Sequence, residues 1–262
     1  MKLITLLTDF RELDGYPALM KGVILGIAAD TVIVDLSHEI APRDIPQAAL
    51  LLGRSAPYFP AGTIHVCVVD PGVGTERRGI IAQLGSQFFI GPDNGLMTLL
   101  HKRAVGDGSE IRIHALQNPD YWLSPVSQTF HGRDIFAPAA GHLANGTPLS
   151  NFGESVSDPV LLDFPVPIRT DQGWQGEVIS IDAFGNLASN LEVKHIAHPG
   201  SIKIRIHNRW ISGLSATFAD RQSGELVALL DSFGQLSICV VNGSAEETLG
   251  ISVGEPVWLI EN

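Results

Sequence analysis

Apolar runs alternate with helical patterns through the first 160 residues of the chain. Continuous apolar runs, rich in β-branched residues, are LITLLTD, TVIVD and TIHVCVVD, and each ends at an aspartate: Asp9, Asp35 and Asp70. Apolar residues recur with helical spacing in the stretches that begin at Tyr16 and at Asp44. Buried strands that alternate with helices are typical of a parallel sheet covered on both faces. We therefore predict an α/β domain with a mainly parallel central sheet over residues 1–162.

Later parts of this first domain follow the same rules. The segments GIIAQLG and QFFIGPDNG predict a pair of strands, and GLMTLLHKR predicts a short helix. A further helix is predicted over FHGRDIFAPAAGHLANG, and Gly146 ends it.

The pattern changes at LLDFPVPIRTDQG, residues 161–173, where prolines and polar residues indicate a linker. Short strand candidates follow, separated by turn residues: GEVISID, SIKIRIHN, ELVALLD, QLSICVV and EPVWLIE. Many short strands with regular turns predict a smaller all-β domain, a barrel or a sandwich, over residues 173–262. We find no internal repeat and no low-complexity tract.

Composition excludes several classes of protein. The 262 residues are 45% hydrophobic and 17% charged, with a net charge of -11, as in an ordinary globular protein. This negative charge argues against a nucleic-acid partner, which requires a basic surface. No apolar stretch is long enough to span a membrane, and Asp9 interrupts the N-terminal run too early for a signal peptide. Cys67 and Cys239 fall in strand-like runs and read as small buried hydrophobes, so we expect a cytoplasmic protein.

The strand-end aspartates indicate where a ligand could bind. Ligands of open α/β sheets bind outside the carboxyl ends of the strands, where these side chains would emerge. Aspartate at a strand end is also common as a turn former or a helix cap, so each aspartate alone carries little weight.

The loop VVDPGVGTERR, residues 68–78, allows three interpretations. A phosphate-binding loop would need a lysine followed by serine or threonine, whereas this loop has Thr75 followed by Glu76. A structural turn explains its proline and glycines. An arginine folded back on Asp70 would keep that carboxylate ionised and oriented, which suits a site that holds a polar nucleophile.

Histidines offer two further candidates. His131 lies at the predicted start of a helix, and its neighbours Arg133 and Asp134 read as a structural pair. His195 and His198 have a spacing found in metal sites, but Pro199 and the lack of a third ligand favour a solvated loop.

The order of several motifs resembles one enzyme family. From the N-terminus to the C-terminus, the matching blocks are LLTDF, YPALMKGVI, VVDPGVGTERR, GPDNGLMTLL, TFHGRDIFAPAA, IDAFGNLASN, DSFGQLSI and VNGSAEETLG. They resemble the S-adenosyl-L-methionine hydroxide adenosyltransferases, which are relatives of the fluorinase and chlorinase enzymes. The resemblance implies an α/β domain followed by a β-barrel-like domain. It also implies a homotrimer with each site between one subunit's N-terminal domain and a neighbour's C-terminal domain.

Site residues follow from the same resemblance. The catalytic set of the family maps onto Asp70, Arg77 and His131, with Arg78 as a surface neighbour. The carboxylate that binds the ribose hydroxyls maps onto Asp9. Residues around the adenine and the methionine map onto four positions of the second domain: Asp182, Phe184, Asn186 and Ser232. From its sequence alone, Phe184 could equally be a core residue, and Asn94 reads as a turn residue.

Departures from the family pattern separate hydrolase from halogenase. Arg11 stands where the family commonly has glycine, Arg43 where it often has an aromatic residue, and Asp231 where it more often has asparagine. The fluorinase has Tyr-Ser where this chain has His131-Gly132, and its serine hydroxyl helps to hold the halide. The DAFG motif is also one residue shorter than in the fluorinase, as in the hydrolases.

The implied reaction is attack of water or hydroxide on the ribose C5′ of S-adenosyl-L-methionine, which gives adenosine and L-methionine without a cofactor or a metal. Asp70 and His131 would position the water, with the proton acceptor left open, and Arg77 would keep Asp70 ionised. Three alternatives remain: a non-catalytic nucleoside-binding protein, a hydrolase whose aspartates and His131 bind Mg²⁺ or Zn²⁺, and a halogenase.

Overall fold

The computed structural model describes residues 2–196 and 201–261. The chain divides into two compact units, Met1–Leu162 and Asp163–Asn262. Within the described ranges, no helix is both long enough and apolar enough to cross a membrane.

A six-stranded sheet forms the centre of the first unit. In chain order its strands are β1 Lys2–Thr8, β2 Thr31–Ser37, β3 Ile64–Val68, β4 Gly79–Leu84, β5 Gln87–Pro92 and β6 Ile111–Ala115. Their order across the sheet is β2-β1-β3-β5-β4-β6. The first four strands in this order are parallel, and the last two pairs are antiparallel. The prediction of an α/β fold with a mainly parallel sheet is therefore confirmed, although the edge strand β6 was missed.

Helices cover both faces of this sheet and create two apolar cores. In chain order they are α1 Tyr16–Ile27, α2 Ile45–Ser55, α3 Thr98–Gly106 and α4 Ala137–Ala144. One core lies between the sheet and helices α1 and α4, and the other between the sheet and helices α2 and α3. Asp44 caps α2, since its side chain accepts a hydrogen bond of 2.9 Å from the backbone N–H of Gln47.

Antiparallel strands and a short α-helix form most of the described part of the second unit. The strands are β7 Ile168–Thr170, β8 Gly173–Ile181, β9 Leu187–Glu192, β10 Ile202–Ile206, β11 Arg209–Ser212, β12 Leu226–Leu230, β13 Gln235–Val240 and β14 Pro256–Glu261. Helix α5 spans Ala245–Leu249. The long strand β8 pairs with β14 through its first half and with β9 through its second half, which bends the sheet. This all-β, barrel-like domain confirms the predicted fold class.

Three details of the second unit differ from the prediction. Strands β9 and β11 were missed, because β9 is polar in part and β11 has only four residues. The segment predicted as a linker, residues 161–173, contains β7, which pairs with β8.

Buried His65 gives the first unit a pH-dependent stability. It lies in β3 with its side chain fully enclosed, and burial lowers its pKa from 6.5 to about 4. The unfolded chain therefore binds a proton between pH 6.5 and pH 4 that the folded chain does not, so stability falls as pH falls through this window.

We expect the free energy of unfolding to drop by about 2 kcal/mol between pH 7 and pH 5 from this histidine alone. Urea unfolding of the wild type and of His65→Gln at both pH values measures the contribution. The variant should lose the part of the pH dependence that His65 contributes, about 2 kcal/mol between the two pH values, while His207→Gln, which changes an exposed histidine, should keep it. Equal slopes for wild type and His65→Gln would refute the assignment.

Candidate active site

Two of the three strand-end aspartates emerge at the carboxyl edge of the parallel sheet. β1 ends at Thr8 and is followed by Asp9, and the adjacent parallel strand β3 ends two residues before Asp70. Contrary to the prediction, Asp35 does not end its strand, because β2 continues past it to Ser37. The carboxylate of Asp35 binds the ammonium group of Lys21 at 2.5 Å.

The loop after β3 folds its arginine back onto Asp70. The Nε of Arg77 donates to both carboxylate oxygens of Asp70, at 2.9 and 3.1 Å, and its Nη2 also donates to Oδ2. The side chain of Asp70 is only 5% exposed, and that of Arg77 is 14% exposed, so water screens this ion pair little. The two-pronged contact fixes the carboxylate in one orientation.

Gly74 allows the loop to turn where it does. Its φ of 76° is in the left-handed region, and a Cβ at this position would overlap the backbone carbonyl oxygen of Gln128. The loop therefore lies directly against the segment that leads to His131. Arg78, which was expected to be a surface neighbour, is half-buried and bonded to Asp93 and Asp158.

His131 completes a hydrogen-bonded cluster with Arg77 and Asp70. It immediately precedes a π-helical turn, Gly132–Phe136, that leads into α4. Its Nδ1 lies 2.9 Å from Nη2 of Arg77. Because a guanidinium can only donate, Nδ1 accepts this hydrogen bond, and the proton of the neutral imidazole is on Nε2.

The surroundings of His131 favour this neutral form. Burial lowers the pKa of His131 most, and the charge of Arg77 lowers it further, whereas Asp70 and Asp134 raise it. A protonated imidazole would place two cations in contact and lose the hydrogen bond from Arg77.

A second ion pair holds the backbone around His131. Asp134 is 1% exposed and accepts hydrogen bonds from Arg133 and from the backbone N–H of Ser127. The two neighbouring side chains bond each other, as predicted. Asn94 accepts a hydrogen bond from the backbone N–H of Leu96, which fits its predicted role in a turn, and its Nδ2 also donates to the carbonyl of Val69 at 2.9 Å.

Asp9 is bonded by the backbone of Arg43, one of two arginines near it in the fold or the sequence that have left-handed backbone conformations. Its Oδ2 accepts a hydrogen bond of 2.9 Å from the backbone N–H of Arg43. Arg43 and Arg11 have φ values of 68° and 57°, in the left-handed region that glycine adopts without steric cost. The family's glycine at the position of Arg11 thus has a conformational reason, and here an arginine takes the same backbone conformation.

The loop after β8 is closed by Asp182. Its Oδ1 accepts from the backbone N–H groups of Phe184 and Asn186, and its Oδ2 accepts from Nδ2 of Asn186 at 2.9 Å. Phe184 is 78% exposed at the tip, which excludes a core role within this unit. Asn186 uses one amide proton in this loop, while its second amide proton and its carbonyl oxygen are further hydrogen-bonding groups.

A second loop repeats this construction at the other end of the strands. In DSFGQ, Asp231 accepts from the backbone N–H groups of Phe233 and Gln235, as Asp182 does in DAFGN. β9 and β13 run antiparallel, with Leu187 opposite Ile238 and Glu192 opposite Gln235. Ser232 therefore lies at the opposite end of this strand pair from Asn186, and the structure does not bring these two residues together.

Residues 244–246 pack against the loop that carries Asn186, a contact that the sequence did not predict. The backbone N–H groups of Ala245 and Glu246 donate to the carbonyl oxygen of Gly185, at 3.1 and 3.0 Å. The only sequence signal for this segment was that VNGSAEETLG is one of the matching blocks.

His195 does not lie in a solvated loop, so that prediction is wrong. It is 7% exposed, accepts a hydrogen bond of 2.8 Å from the backbone N–H of Glu192, and packs on the ring of Trp174. The pKa of His195 is lowered, and burial is the main cause. His198 lies outside the described residues.

The chain thus combines an α/β domain, which carries an Asp–Arg–His cluster at its sheet edge, with a barrel-like β domain. Residues 4–153 match the family model of the SAM hydroxide adenosyltransferase N-terminal domain, and residues 176–258 match that of the C-terminal domain. The chain belongs to the SAM hydroxide adenosyltransferase family.

Individual relatives agree with this assignment. The chain is 37% identical to a protein of Salinispora tropica named (R)-S-adenosyl-L-methionine hydrolase, over 96% of this chain and 95% of that one. It is 38% identical to a protein of the same name from Thermus thermophilus, over 99% and 100% of the two chains. A crystal structure of an uncharacterized conserved protein from Thermotoga maritima is 31% identical and covers 98% of this chain and 100% of its own, with a TM-score of 0.88. A fluorinase of Actinoplanes sp. is more distant, at 27% identity over 90% of each chain.

Proposed function

We propose that this protein hydrolyses S-adenosyl-L-methionine to adenosine and L-methionine. The observation that carries the proposal is the hydrogen-bonded cluster of Asp70, Arg77 and His131 at the carboxyl edge of the sheet. The names of relatives that match nearly the whole chain, (R)-S-adenosyl-L-methionine hydrolase, support the choice of substrate.

The chemistry needs an oriented oxygen nucleophile and little else. The sulfonium of the substrate leaves as a neutral thioether, so the leaving group needs no general acid. Water attacks C5′, the C5′–S bond breaks, its electrons stay on sulfur, and one proton is released. Holding the water in line behind C5′ can lower the barrier by up to about 7–11 kcal/mol, and a positioned proton acceptor contributes roughly 10²–10⁴-fold.

Hydrogen-bond directions assign separate roles to His131 and Asp70. The acceptor atom of His131, Nδ1, is already used by Arg77, so its remaining ring nitrogen can only donate to the water. A carboxylate has about four acceptor positions, which leaves Asp70 able to accept the proton of the water beside Arg77. We therefore propose Asp70 as the proton acceptor, His131 as the donor that orients the water, and Arg77 as the cation that stabilises hydroxide character.

Substrate binding would use residues of one subunit's first domain and of a neighbouring subunit's second domain, as the family resemblance implies. Asp9 can accept hydrogen bonds from the two ribose hydroxyls, and Asn186 can pair with an edge of the adenine. Phe184 offers an exposed ring for stacking on the base, and Asp182 holds its loop in shape. Ser232 remains a candidate contact of the methionine carboxylate, at the other end of the β9–β13 pair from these residues.

Asp9→Asn should weaken adenosine binding by roughly 10- to 150-fold, the cost of losing charge-assisted hydrogen bonds to the ribose. Calorimetric titration with adenosine measures the change, and Asp14→Asn on the same loop is the matched control. With 2′,3′-dideoxyadenosine, wild type and Asp9→Asn should bind equally weakly. An unchanged affinity for adenosine would contradict the ribose role.

Two alternative activities fit the observed cluster less well. A catalytic Mg²⁺ or Zn²⁺ between Asp70 and His131 would compete with Arg77, whose guanidinium already bonds both side chains. A halogenase would need a hydroxyl at position 132. A Cβ there would lie 3.3–3.4 Å from atoms of Met20, Phe130 and Phe10, so a serine would be crowded.

We further propose a homotrimer in the cytoplasm, with each site shared between neighbouring subunits. The family resemblance supports the trimer, and the unpaired, buried Cys67 and Cys239 suit a reducing compartment.

Product analysis tests the proposed activity. The protein is incubated with S-adenosyl-L-methionine, with and without chloride or fluoride, and the products are separated by chromatography. Equal amounts of adenosine and L-methionine over many turnovers are expected in every case. Retained substrate without turnover would favour a binding protein, and a halogenated deoxyadenosine would favour a halogenase.

A further inference from the structure

A second cluster of chemically able side chains lies apart from Asp70 and His131. Glu12 follows β1, Asp35 lies near the end of the adjacent strand β2, and His38 directly follows β2. The Nε2 of His38 lies 3.1 Å from Oδ1 of Asp35 and 3.9 Å from Oε1 of Glu12. We propose that these three side chains bind one divalent transition-metal ion.

The distances between the three donor atoms suit a shared ion. All three lie within 4.8 Å of one another. Bonds of about 2.0–2.2 Å in a tetrahedral arrangement place neighbouring donor atoms roughly 3.3–3.6 Å apart. Small rotations of the exposed Glu12 side chain would therefore complete a three-ligand site, with a water as the fourth ligand.

His38 supplies a separate indication that a ligand is needed. The residue is only 4% exposed, and its Nε2, although 3.1 Å from Oδ1 of Asp35, makes no well-directed hydrogen bond within the described part of the chain. A buried polar nitrogen without a partner is costly, and this one faces two carboxylates. Glu12 and Asp35 are partly exposed, which leaves a path from solvent to the nitrogen.

Two of the three ligands are already held in orientations that a metal requires. The Nδ1 of His38 lies 2.8 Å from Oγ1 of Thr8 and can donate to it, which leaves the lone pair of Nε2 for the ion. Oδ2 of Asp35 binds Lys21, which directs Oδ1 towards His38. In an ion-free arrangement Thr8 can donate to Nδ1 instead, and the imidazole proton is then on Nε2, so the two states differ in the position of one proton.

The donor set selects the kind of ion. One imidazole and two carboxylates suit Zn²⁺ and similar first-row ions, whereas Mg²⁺ and Ca²⁺ prefer all-oxygen sites. An ion here would join the loop after β1, which carries Asp9, to the end of β2. Its role would be to fix that loop.

Equilibrium dialysis with Zn²⁺ tests the site in the full chain after treatment with a chelator. Wild type should bind one Zn²⁺. The affinity for this ion should be at least about tenfold weaker in Glu12→Gln and in His38→Gln. The matched control Asp14→Asn removes the same charge from the same exposed loop and should bind as wild type does. Excess Mg²⁺ should not displace the ion.

Cobalt absorption separates this site from zinc adsorbed on surface histidines. Co²⁺ should give intense visible bands of a four- or five-coordinate ion in wild type and Asp14→Asn, and these bands should be absent in Glu12→Gln. Because Glu12 is exposed, this variant folds even where His38→Gln does not. Equal Zn²⁺ affinity and equal spectra for wild type and Glu12→Gln would overturn the proposal. Neither measurement uses substrate, so the outcome is independent of the proposed activity.

Discussion

Arg77→Ala is expected to reduce kcat by about 10²–10⁴-fold while changing the affinity for S-adenosyl-L-methionine only slightly. The guanidinium bonds Asp70 and His131 at once, so its removal releases both groups and withdraws the charge that stabilises hydroxide character. Because these interactions act in the transition state, the loss should appear in kcat and in kcat/KM equally. Single-turnover kinetics and calorimetric binding separate the two quantities.

Arg77→Lys is the matched control for this experiment. Lysine keeps the positive charge but cannot reproduce the two-pronged contact with Asp70 and the third bond to His131. Relative to Arg77→Ala, Arg77→Lys should restore the stability of the fold more than it restores turnover. Arg77→Ala leaves Asp70 unpaired in a site that is 5% exposed, so the double variant Asp70→Asn/Arg77→Met should fold better than Arg77→Ala and remain inactive. Near wild-type turnover in Arg77→Ala would remove the arginine from the mechanism.

His131→Ala should lower kcat by about 10²–10⁴-fold, whereas His131→Gln should keep part of the activity. A glutamine amide can still donate a hydrogen bond near the position of Nε2–H, but it cannot accept a proton. Equal inactivity of the two variants would instead identify His131 as the proton acceptor. His142→Gln, at another half-buried histidine, is the control and should leave kcat unchanged.

The pH profile gives an independent check on His131. Burial and then Arg77 lower its pKa below 6.5, and the form that we propose to be active is the neutral imidazole. The rate should therefore be level above pH 6.5 and fall as the pH drops through the lowered pKa. This acid limb should be absent in His131→Gln. If the acid limb of the pH–rate profile persists unchanged in His131→Gln, it arises from the titration of a residue other than His131.

The fold class was predictable because the two domains differ in their pattern of apolar residues. Continuous apolar runs such as TIHVCVVD can only be buried on both faces, and their alternation with helices specifies a parallel sheet. The missed strands are those whose residues carry weak signals. β9, with sequence LASNLE, contains two buried polar residues whose hydrogen bonds are made by distant partners, which no local pattern reveals.

The candidate site shows the same division between local and distant information. The fold of an arginine back onto Asp70 was predictable, because the glycines of the loop allow it to turn, whereas the choice of Arg77 over Arg78 came from the family resemblance. The contact with His131 joins residues 54 positions apart, and only the family resemblance indicated it. The similar turns of DAFGN and DSFGQ can be recognised from the sequence. Their placement at opposite ends of the β9–β13 pair cannot, because it depends on strand pairing.

Hydrolysis of S-adenosyl-L-methionine in ¹⁸O-water is the most direct measurement of the central claim, that a water held by Asp70, Arg77 and His131 attacks C5′. Mass spectrometry of the products should find one ¹⁸O in the 5′-hydroxyl of adenosine and none in L-methionine, and Arg77→Ala should form neither product at a comparable rate. Adenosine without label, or no adenosine at all, would contradict the account.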